Sequence, residues 1–456
     1  MSEKHLTSRR NFLRTVGTVA IGAPLFLDMA FAGVPARKLR HACIGVGGMG
    51  SYDLQNFKSH PDVEIVALCD VDENHLKKAA ELIPGARLYT DWRELLKKES
   101  KNIDSVNVTV PDHNHYIIAK SAIDAGKHVY CQKPMCHDVA EVRELTKATV
   151  KKGVVTQLGT QIASSVGDRT AVKWIKEGII GKVKHAYLCS NRSGIAGYRL
   201  EGPRPESSQE VPATLDWDKW LGTAPERPFA PNIYHPGIWR TWQDFGTGWS
   251  GDIGCHIFDA VWKGLDLKAP LTVEAEVQQS WKDSAERRGD TWPQGNHISW
   301  SFPGNDKIAS DVLPLEWFDG EFYPPEEVRG LYNNGEKYPE EAAMLIGTEG
   351  ALLIPHGGTP VLLPESKFKN INYPKLDERN HYHHFVDGCL EKAKPESHFA
   401  QSGPMTEAIL LGTVAIRVPD VVLKWDSTNM KFPNYPEAEK YLRRSYRKGW
   451  EVKGFG

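Results

Sequence analysis

No Cys-x-x-Cys pair occurs among the seven cysteines of this chain, which lie at 43, 69, 131, 136, 189, 255 and 389. An odd number at such spacings is not a disulfide framework, and the thiols read as packing residues. Charge of neither sign is in excess. A formal net charge of -2, with no basic stripe, gives no general attraction to nucleic acid. No run of about 18 apolar residues lies beyond the N-terminal region, so no membrane association is expected once that region is removed. Internal repeats are absent. His381, His383 and His384 stand near Asp377, Glu378 and Asp387, but no motif of the zinc-peptidase kind is present and no metal is expected. A small-molecule partner is favoured.

What the chain does have is an ordinary globular composition, 40% hydrophobic and 25% charged over 456 residues, enough for two cores. Its first residues differ in texture. Ser8-Arg9-Arg10-Asn11-Phe12-Leu13 precedes an apolar run from Val16 to Leu27 and then Ala30-Phe31-Ala32. This is the pattern of a twin-arginine signal peptide over 1–32, which places the mature protein in the periplasm.

From Leu39 onward, apolar strands alternate with helices. Strands are expected at His41–Val46, Glu64–Cys69, Ser105–Val110 and His128–Cys131, with helices between them and another from about Asp138. That alternation predicts a parallel sheet with right-handed crossovers. Past Gly153 the texture changes to a long stretch rich in Trp, Pro and Gly up to Trp249. Strand-like runs follow at Leu271–Gln278, His297–Phe302, Ala309–Pro314 and Ala351–Ile354, and late helices at Tyr382–Lys392 and Thr406–Ile416. The expected architecture is α/β: a Rossmann dinucleotide-binding domain over 38–155, then a C-terminal α+β domain over 156–456 with an open, mainly antiparallel sheet.

The first strand runs into Gly45-Val46-Gly47-Gly48-Met49-Gly50, where a helix begins. Gly45 permits the turn, Gly47 lets the backbone approach a pyrophosphate, and Gly50 lets the helix pack on the strand. Free N–H groups at the helix start, from Gly48 and Met49 on, would hold phosphate. Asp70 ends the next strand at the spacing of a ribose-diol acceptor, and with Asp72 beside it a 2'-phosphate is disfavoured, so NAD is expected over NADP. Between Leu215 and Trp262 lie Trp217, Trp220, Tyr234, Trp239, Trp242, Phe245, Trp249 and Trp262, interleaved with His235, Arg240 and Asp244. Aromatic platforms beside polar groups suit a carbohydrate. Tyr234, Arg240 and Trp242 are the expected substrate contacts, although such tryptophans also serve as the core of a long insertion.

The fingerprint, Asp70, Val110-Pro111-Asp112-His113-Asn114-His115, the run from Gly126 to Gln132-Lys133-Pro134, and Asp252-Ile253-Gly254-Cys255-His256 resemble the Gfo/Idh/MocA oxidoreductases. Asn380 to Phe385 and Gly403 to Ala408 resemble exported, sugar-associated members. The resemblance implies a sheet that often forms the oligomer contact, hence a homo-oligomer, dimer or tetramer. It also implies catalytic roles for Lys133 and His256, with Asp252 one turn before the histidine. Pro111 and His115 would line the nicotinamide side. One departure is Gln132, where the family has Glu in Glu-Lys-Pro.

Hydride transfer from a carbinol needs a group to take the hydroxyl proton and a donor to steady the alkoxide. His256 is the natural base and Lys133 the natural cationic donor. Asp252 and His256, four apart, share a helix face. Gln132 removes a carboxylate beside Lys133, which is expected to hold its proton less firmly and share the base role. Three functions follow: a sugar oxidoreductase with a tightly held nicotinamide cofactor, a redox-neutral NAD-dependent glycoside hydrolase or lyase working through a keto sugar, and a non-catalytic sensor of NAD and sugar.

Overall fold

The computed structural model describes residues 38–192, 202–204, 209–333, 335 and 337–452. The signal expected at 1–32 lies outside them. No helix among the described residues is long and apolar enough to cross a membrane.

Strands β1 (Leu39–Ile44), β2 (Val63–Cys69), β3 (Arg87–Tyr89), β4 (Ser105–Val108), β5 (His128–Cys131) and β6 (Thr156–Leu158) form one sheet in the order β3-β2-β1-β4-β5-β6. Every pair in it is parallel. Helices α1 (Met49–Lys58), α2 (Glu73–Leu82), α3 (Trp92–Lys98), α4 (His115–Asp124) and α5 (Val139–Lys152) alternate with these strands. β4 is buried at every position, as expected of a strand covered on both faces. Three of these helices, α2, α3 and α5, start where a short polar side chain accepts from a first free amide: Asp72 from Asn74, Asp91 from Arg93, and Asp138 from Glu141. α5 ends at Gly153 in the left-handed region.

After α6 (Val166–Lys176), a second sheet holds β7 (Val183–Ser190), β8 (Thr272–Val277), β9 (Asn296–Pro303), β10 (Val312–Asp319), β11 (Glu341–Gly347), β12 (Ala351–Pro355), β13 (Val361–Leu363) and β14 (Leu423–Lys424). Their order is β13-β12-β11-β7-β10-β9-β8-β14. All pairs are antiparallel except β7 with β10. β9 alternates strictly, burying Ile298, Trp300 and Phe302. That face packs on α7 (Gly248–Leu265) and on α9 (Phe399–Arg417), which follows α8 (His381–Cys389). Trp300 Nε1 donates to the Ala408 carbonyl at 2.9 Å, and a side chain at Gly412 would meet the Trp300 ring at 2.7 Å.

Three expectations are corrected. The strand expected at Ala309–Pro314 lies at Val312–Asp319. β3, β6, β7, β11, β13 and β14 lie outside the expected strands; β6 carries the first sheet past the boundary expected at 155, and β11 is a continuous Ala, Met and Leu run that lacks the alternation of a half-buried strand. α9 starts at Phe399 instead of Thr406, since the helix runs through Pro404.

The chain's last described segment returns to the first domain. Arg444 donates to Glu141 Oε1 at 2.7 Å through Nη2, and Tyr446 OH donates to the same oxygen at 2.5 Å. His137 N donates to Glu141 Oε2 at 2.9 Å. Glu141 is fully buried. Arg444→Leu therefore strands a carboxylate in the interior and is expected to cost about 3–5 kcal/mol, read as a lower urea midpoint; a midpoint unchanged from wild type would remove this clasp from the account of stability.

Candidate active site

A cavity of about 500 Å3 lies beyond the C-terminal ends of β1, β2, β4 and β5, the position where open α/β sheets bind ligands. At one end is the glycine turn. Gly45 has φ +81°, and a Cβ there would lie 2.0 Å from the Thr109 carbonyl oxygen. A Cβ on Gly50 would lie 2.2 Å from the Gly45 carbonyl oxygen, so this glycine serves the packing of α1 and not the cavity wall. A Cβ on Gly47 would meet the His75 ring at 2.2 Å, a reason for this glycine additional to the approach of a phosphate. Gly48 and Met49 line the cavity, and no side chain caps α1, so the helix start is open to an anion.

Asp70 also lines the cavity. Its Oδ2 accepts from Val46 N at 2.9 Å and Gly47 N at 3.2 Å, and its Oδ1 from Asp72 N at 2.9 Å. The carboxylate is thus fixed against the turn it serves. An uncapped helix N-terminus beside a fixed carboxylate fits the pyrophosphate and ribose of a nicotinamide dinucleotide. Asp72 caps α2 and accepts from His235 Nε2 at 3.0 Å. Asp72, His75 and His235 bring potential ligand atoms within 4.8 Å of one another.

His235 arrives on the aromatic-rich stretch, which crosses the cleft as a strap. Glu73 N donates to the Thr214 carbonyl at 2.8 Å and Asp216 N to the Val71 carbonyl at 2.9 Å. Asn114 Nδ2 donates to the Trp220 carbonyl at 3.1 Å. Lys219, Trp220, His235, Trp239 and Arg240 line the cavity. Tyr234 and Trp242, expected as substrate contacts, do not. They are buried in the strap's own core with Phe229, Trp220 and Phe245, and Trp242 Nε1 is used by the Ile233 carbonyl at 2.8 Å. The strap needs its own core because it packs around itself before it spans the cleft.

At the other end Lys133, just after β5, donates through Nζ to Asp252 Oδ1 at 2.7 Å and to the Asp252 carbonyl at 3.2 Å. Arg240 Nε lies 3.5 Å from the same carboxylate oxygen. Burial pushes the Asp252 carboxyl up, but Lys133 and Arg240 outweigh it and hold it at about 2. Lys133 and His256 line the cavity, whereas Asp252 lies behind them, so Asp252 acts by placing the lysine. His256 is held well below the ordinary 6.5, first by burial and then by the neighbouring Lys133 and His356. It is a neutral imidazole, and its Nδ1 meets no partner among the described residues.

Pro111 and Gln132 line the cavity. His115, expected there too, does not: it is buried with Nδ1 2.7 Å from the Pro134 carbonyl and Nε2 2.7 Å from the Val110 carbonyl. Its place is behind the wall, joining the β4 and β5 turns. Gln132 Nε2 donates to both oxygens of Asp53 at 3.0 Å. Asp53 also accepts from Thr109 Oγ1 at 2.7 Å and Tyr382 OH at 2.6 Å. Beside Gln132, which is turned toward Asp53, the Lys133 ammonium is met directly by the Asp252 carboxylate. His381 and His383 bond to Ser164 Oγ at 2.7 Å and Ser59 Oγ at 2.8 Å, as parts of a helix start.

The sequence reading missed Asp112 and His75 in the cavity wall. Asp112 stood in the Val110 to His115 motif and was legible as a buried carboxyl next to Pro111; nothing in the sequence marks His75.

A six-stranded parallel sheet in this order, with a glycine turn at the head of β1 and an acid at the end of β2, defines a dinucleotide-binding domain of the Rossmann class. Residues 39–160 match the family model described as "Oxidoreductase family, NAD-binding Rossmann fold", and 165–294 match that family's C-terminal alpha/beta domain. The chain belongs to the Gfo/Idh/MocA family of oxidoreductases. It is 28% identical over 144 residues to a myo-inositol 2-dehydrogenase of Thermotoga maritima, a match covering 32% of this chain and 42% of the relative. It is 27% identical over 188 residues to a glycosyl hydrolase family 109 protein of Stenotrophomonas maltophilia, covering 39% and 40%. The chain thus matches about two-fifths of the length of these curated relatives. The WlbA dehydrogenase from Bordetella pertussis, solved with NADH and UDP-GlcNAcA, shares the fold at a TM-score of 0.60 and 15% identity, over 86% of this chain and 99% of that one.

Two outcomes follow. Lys133→Met is expected to lower turnover by about 100-fold or more while dinucleotide affinity, measured by calorimetry, stays within a few-fold; native turnover would remove Lys133 from the chemistry. Because the His256 imidazole is neutral well below its ordinary value, it remains a base as pH falls through 6.5. The pH profile of kcat/KM should therefore show no acid limb at 6.5, and a limb there that disappears in His256→Asn would contradict this assignment.

Proposed function

We propose that this chain is an exported, periplasmic NAD-dependent oxidoreductase that moves hydride between a sugar hydroxyl and a nicotinamide cofactor it does not release. The observation that carries this reading is the juxtaposition, in one cavity, of the Rossmann phosphate turn with Lys133, steadied by Asp252, and a neutral His256. Bound NAD supplies the hydride acceptor. Lys133 steadies the substrate oxygen, and His256 takes its proton. The fixed Asp70 carboxylate supports NAD over NADP. Trp220, Trp239 and Arg240 offer apolar faces and a charged donor for a sugar. We extend the proposal to a homo-oligomer, without membrane association after removal of the signal.

A second reading, glycosidic cleavage with no net redox change, is favoured by the likeness to the glycosyl hydrolase family 109 protein. Incubation with free sugars and aryl glycosides separates the two. Absorbance of reduced nicotinamide without aglycone release supports the dehydrogenase; aglycone release without net reduction supports the second. Neither signal would return the chain to a binding role.

Retention of the cofactor follows from where the chain works. A twin-arginine substrate folds in the cytoplasm, where NAD is made, and carries what it has bound across the membrane. The strap, latched by His235 to Asp72, supports such retention. Mature protein purified without added nucleotide is therefore expected to release NAD on denaturation. His235→Ala is expected to speed NAD release roughly tenfold, the value of one hydrogen bond. Protein that is nucleotide-free as purified, yet stable and active only with added NAD, would overturn retention.

A further inference from the structure

Hydride exchange at a carbinol moves one proton, and Lys133 with His256 meets that need. Close to that pair the cavity wall also holds a buried carboxyl. Asp112, buried at the start of the turn after Pro111, contributes to the cavity wall. Its Oδ2 accepts from Thr247 Oγ1 at 3.1 Å, and no other hydrogen bond forms to its side chain among the described residues. The charged groups that face it are Asp252 on α7, Arg240 on the strap and Lys133 after β5. Two carboxyls crowded into one buried site do not both ionise, and the better partnered one keeps the charge. Here the cations belong to Asp252, with Lys133 at 2.7 Å and Arg240 at 3.5 Å, whereas Asp112 has only a neutral hydroxyl. Burial, then the Asp252 charge, pushes Asp112 up to about 8. A neutral imidazole and a protonated carboxyl therefore share the cavity, one lacking a proton and one carrying it.

We propose that Asp112 is the catalytic acid that protonates the leaving oxygen when this site breaks a glycosidic bond in a keto sugar. The inference rests on the second reading above and assigns its missing acid. In a glycoside bearing a carbonyl two carbons from the anomeric centre, the C–H between them is acidified. His256 takes that proton, and the C–H pair becomes a carbon–carbon double bond to the anomeric carbon. The glycosidic C–O bond breaks with its pair on oxygen, and the Asp112 proton completes the departing alcohol. His256 is left protonated and Asp112 ionised. Water then adds: its oxygen bonds the anomeric carbon, its proton returns Asp112 to the acid, and His256 gives its proton back to carbon. The glycosidic bond has been exchanged for water, and no oxidant or reductant enters this part of the sequence.

The test supplies the keto glycoside directly to the cofactor-bound protein, with a poor leaving group (methyl) and a good one (nitrophenyl), following alcohol release. Asp112→Asn should slow the methyl compound about 100-fold and the nitrophenyl compound less than about tenfold, because nitrophenolate departs without help. Asp112→Glu should recover most of the methyl rate. In wild type the methyl rate should fall as pH rises through about 8, since the acid form is lost there, while the nitrophenyl rate should not. Equal losses on both leaving groups, with an unchanged pH profile, would mean a structural role and overturn the assignment. So would wild type that fails to speed methyl release over buffer. If free sugars still reduce bound NAD in that case, sugar oxidation stands without cleavage; if they do not, the functional reading falls as well.

Discussion

The contact between Lys133 and Asp252 holds the active cavity together. The lysine follows a strand of the parallel sheet and the aspartate sits in the first turns of α7, so one ion pair joins the two halves of the site. Both partners are largely withdrawn from water. Neither charge can be left alone there without a cost of several kcal/mol, so the two halves are held to one relative placement at the point where Lys133 and His256 both line the cavity. The pair also sets the electrical character of its surroundings. It concentrates negative charge on Asp252, which disfavours ionisation of Asp112, and it places an ammonium near His256, which disfavours protonation of the imidazole.

Much of this was legible in the sequence, for reasons that can be named. The glycine turn and Asp70 are recognisable because backbone geometry demands particular residues at fixed spacing. Gly45 has no freedom to be otherwise with the Thr109 carbonyl 2.0 Å from where its Cβ would be. Asp252 and His256 share a helix face by periodicity alone. Lys133 and Pro111 sit at strand ends, where the topology of an open sheet delivers residues to the cleft. These are local rules, and the fold obeys them.

What was not legible depends on packing between distant segments. The aromatic cluster gave no sign of which rings face inward, and Tyr234 and Trp242 turned out to build the strap while Trp220 and Trp239 face the cavity. His115 lies one residue from positions that reach the wall, yet both its nitrogens are spent on carbonyls behind it. Gln132 shows the same limit in another form. Its substitution looked like a lost carboxylate, whereas a carboxylate had been placed on α1 at Asp53, 79 residues earlier, a pairing that a linear reading has no means of finding.

The return of the C-terminal segment to Glu141 bears on how the molecule is made. Arg444 and Tyr446 lie 303 and 305 residues beyond Glu141, and the carboxylate they satisfy lies inside the N-terminal nucleotide-binding half. Until that segment has been made, that half has an interior acid with part of its bonding unmet. It cannot reach its final stability as an autonomous early unit, so completion of the cofactor domain waits on a segment made about 300 residues later. A product that stopped short of Arg444 would keep the phosphate turn, Lys133 and His256 but lack the closing contact on Glu141.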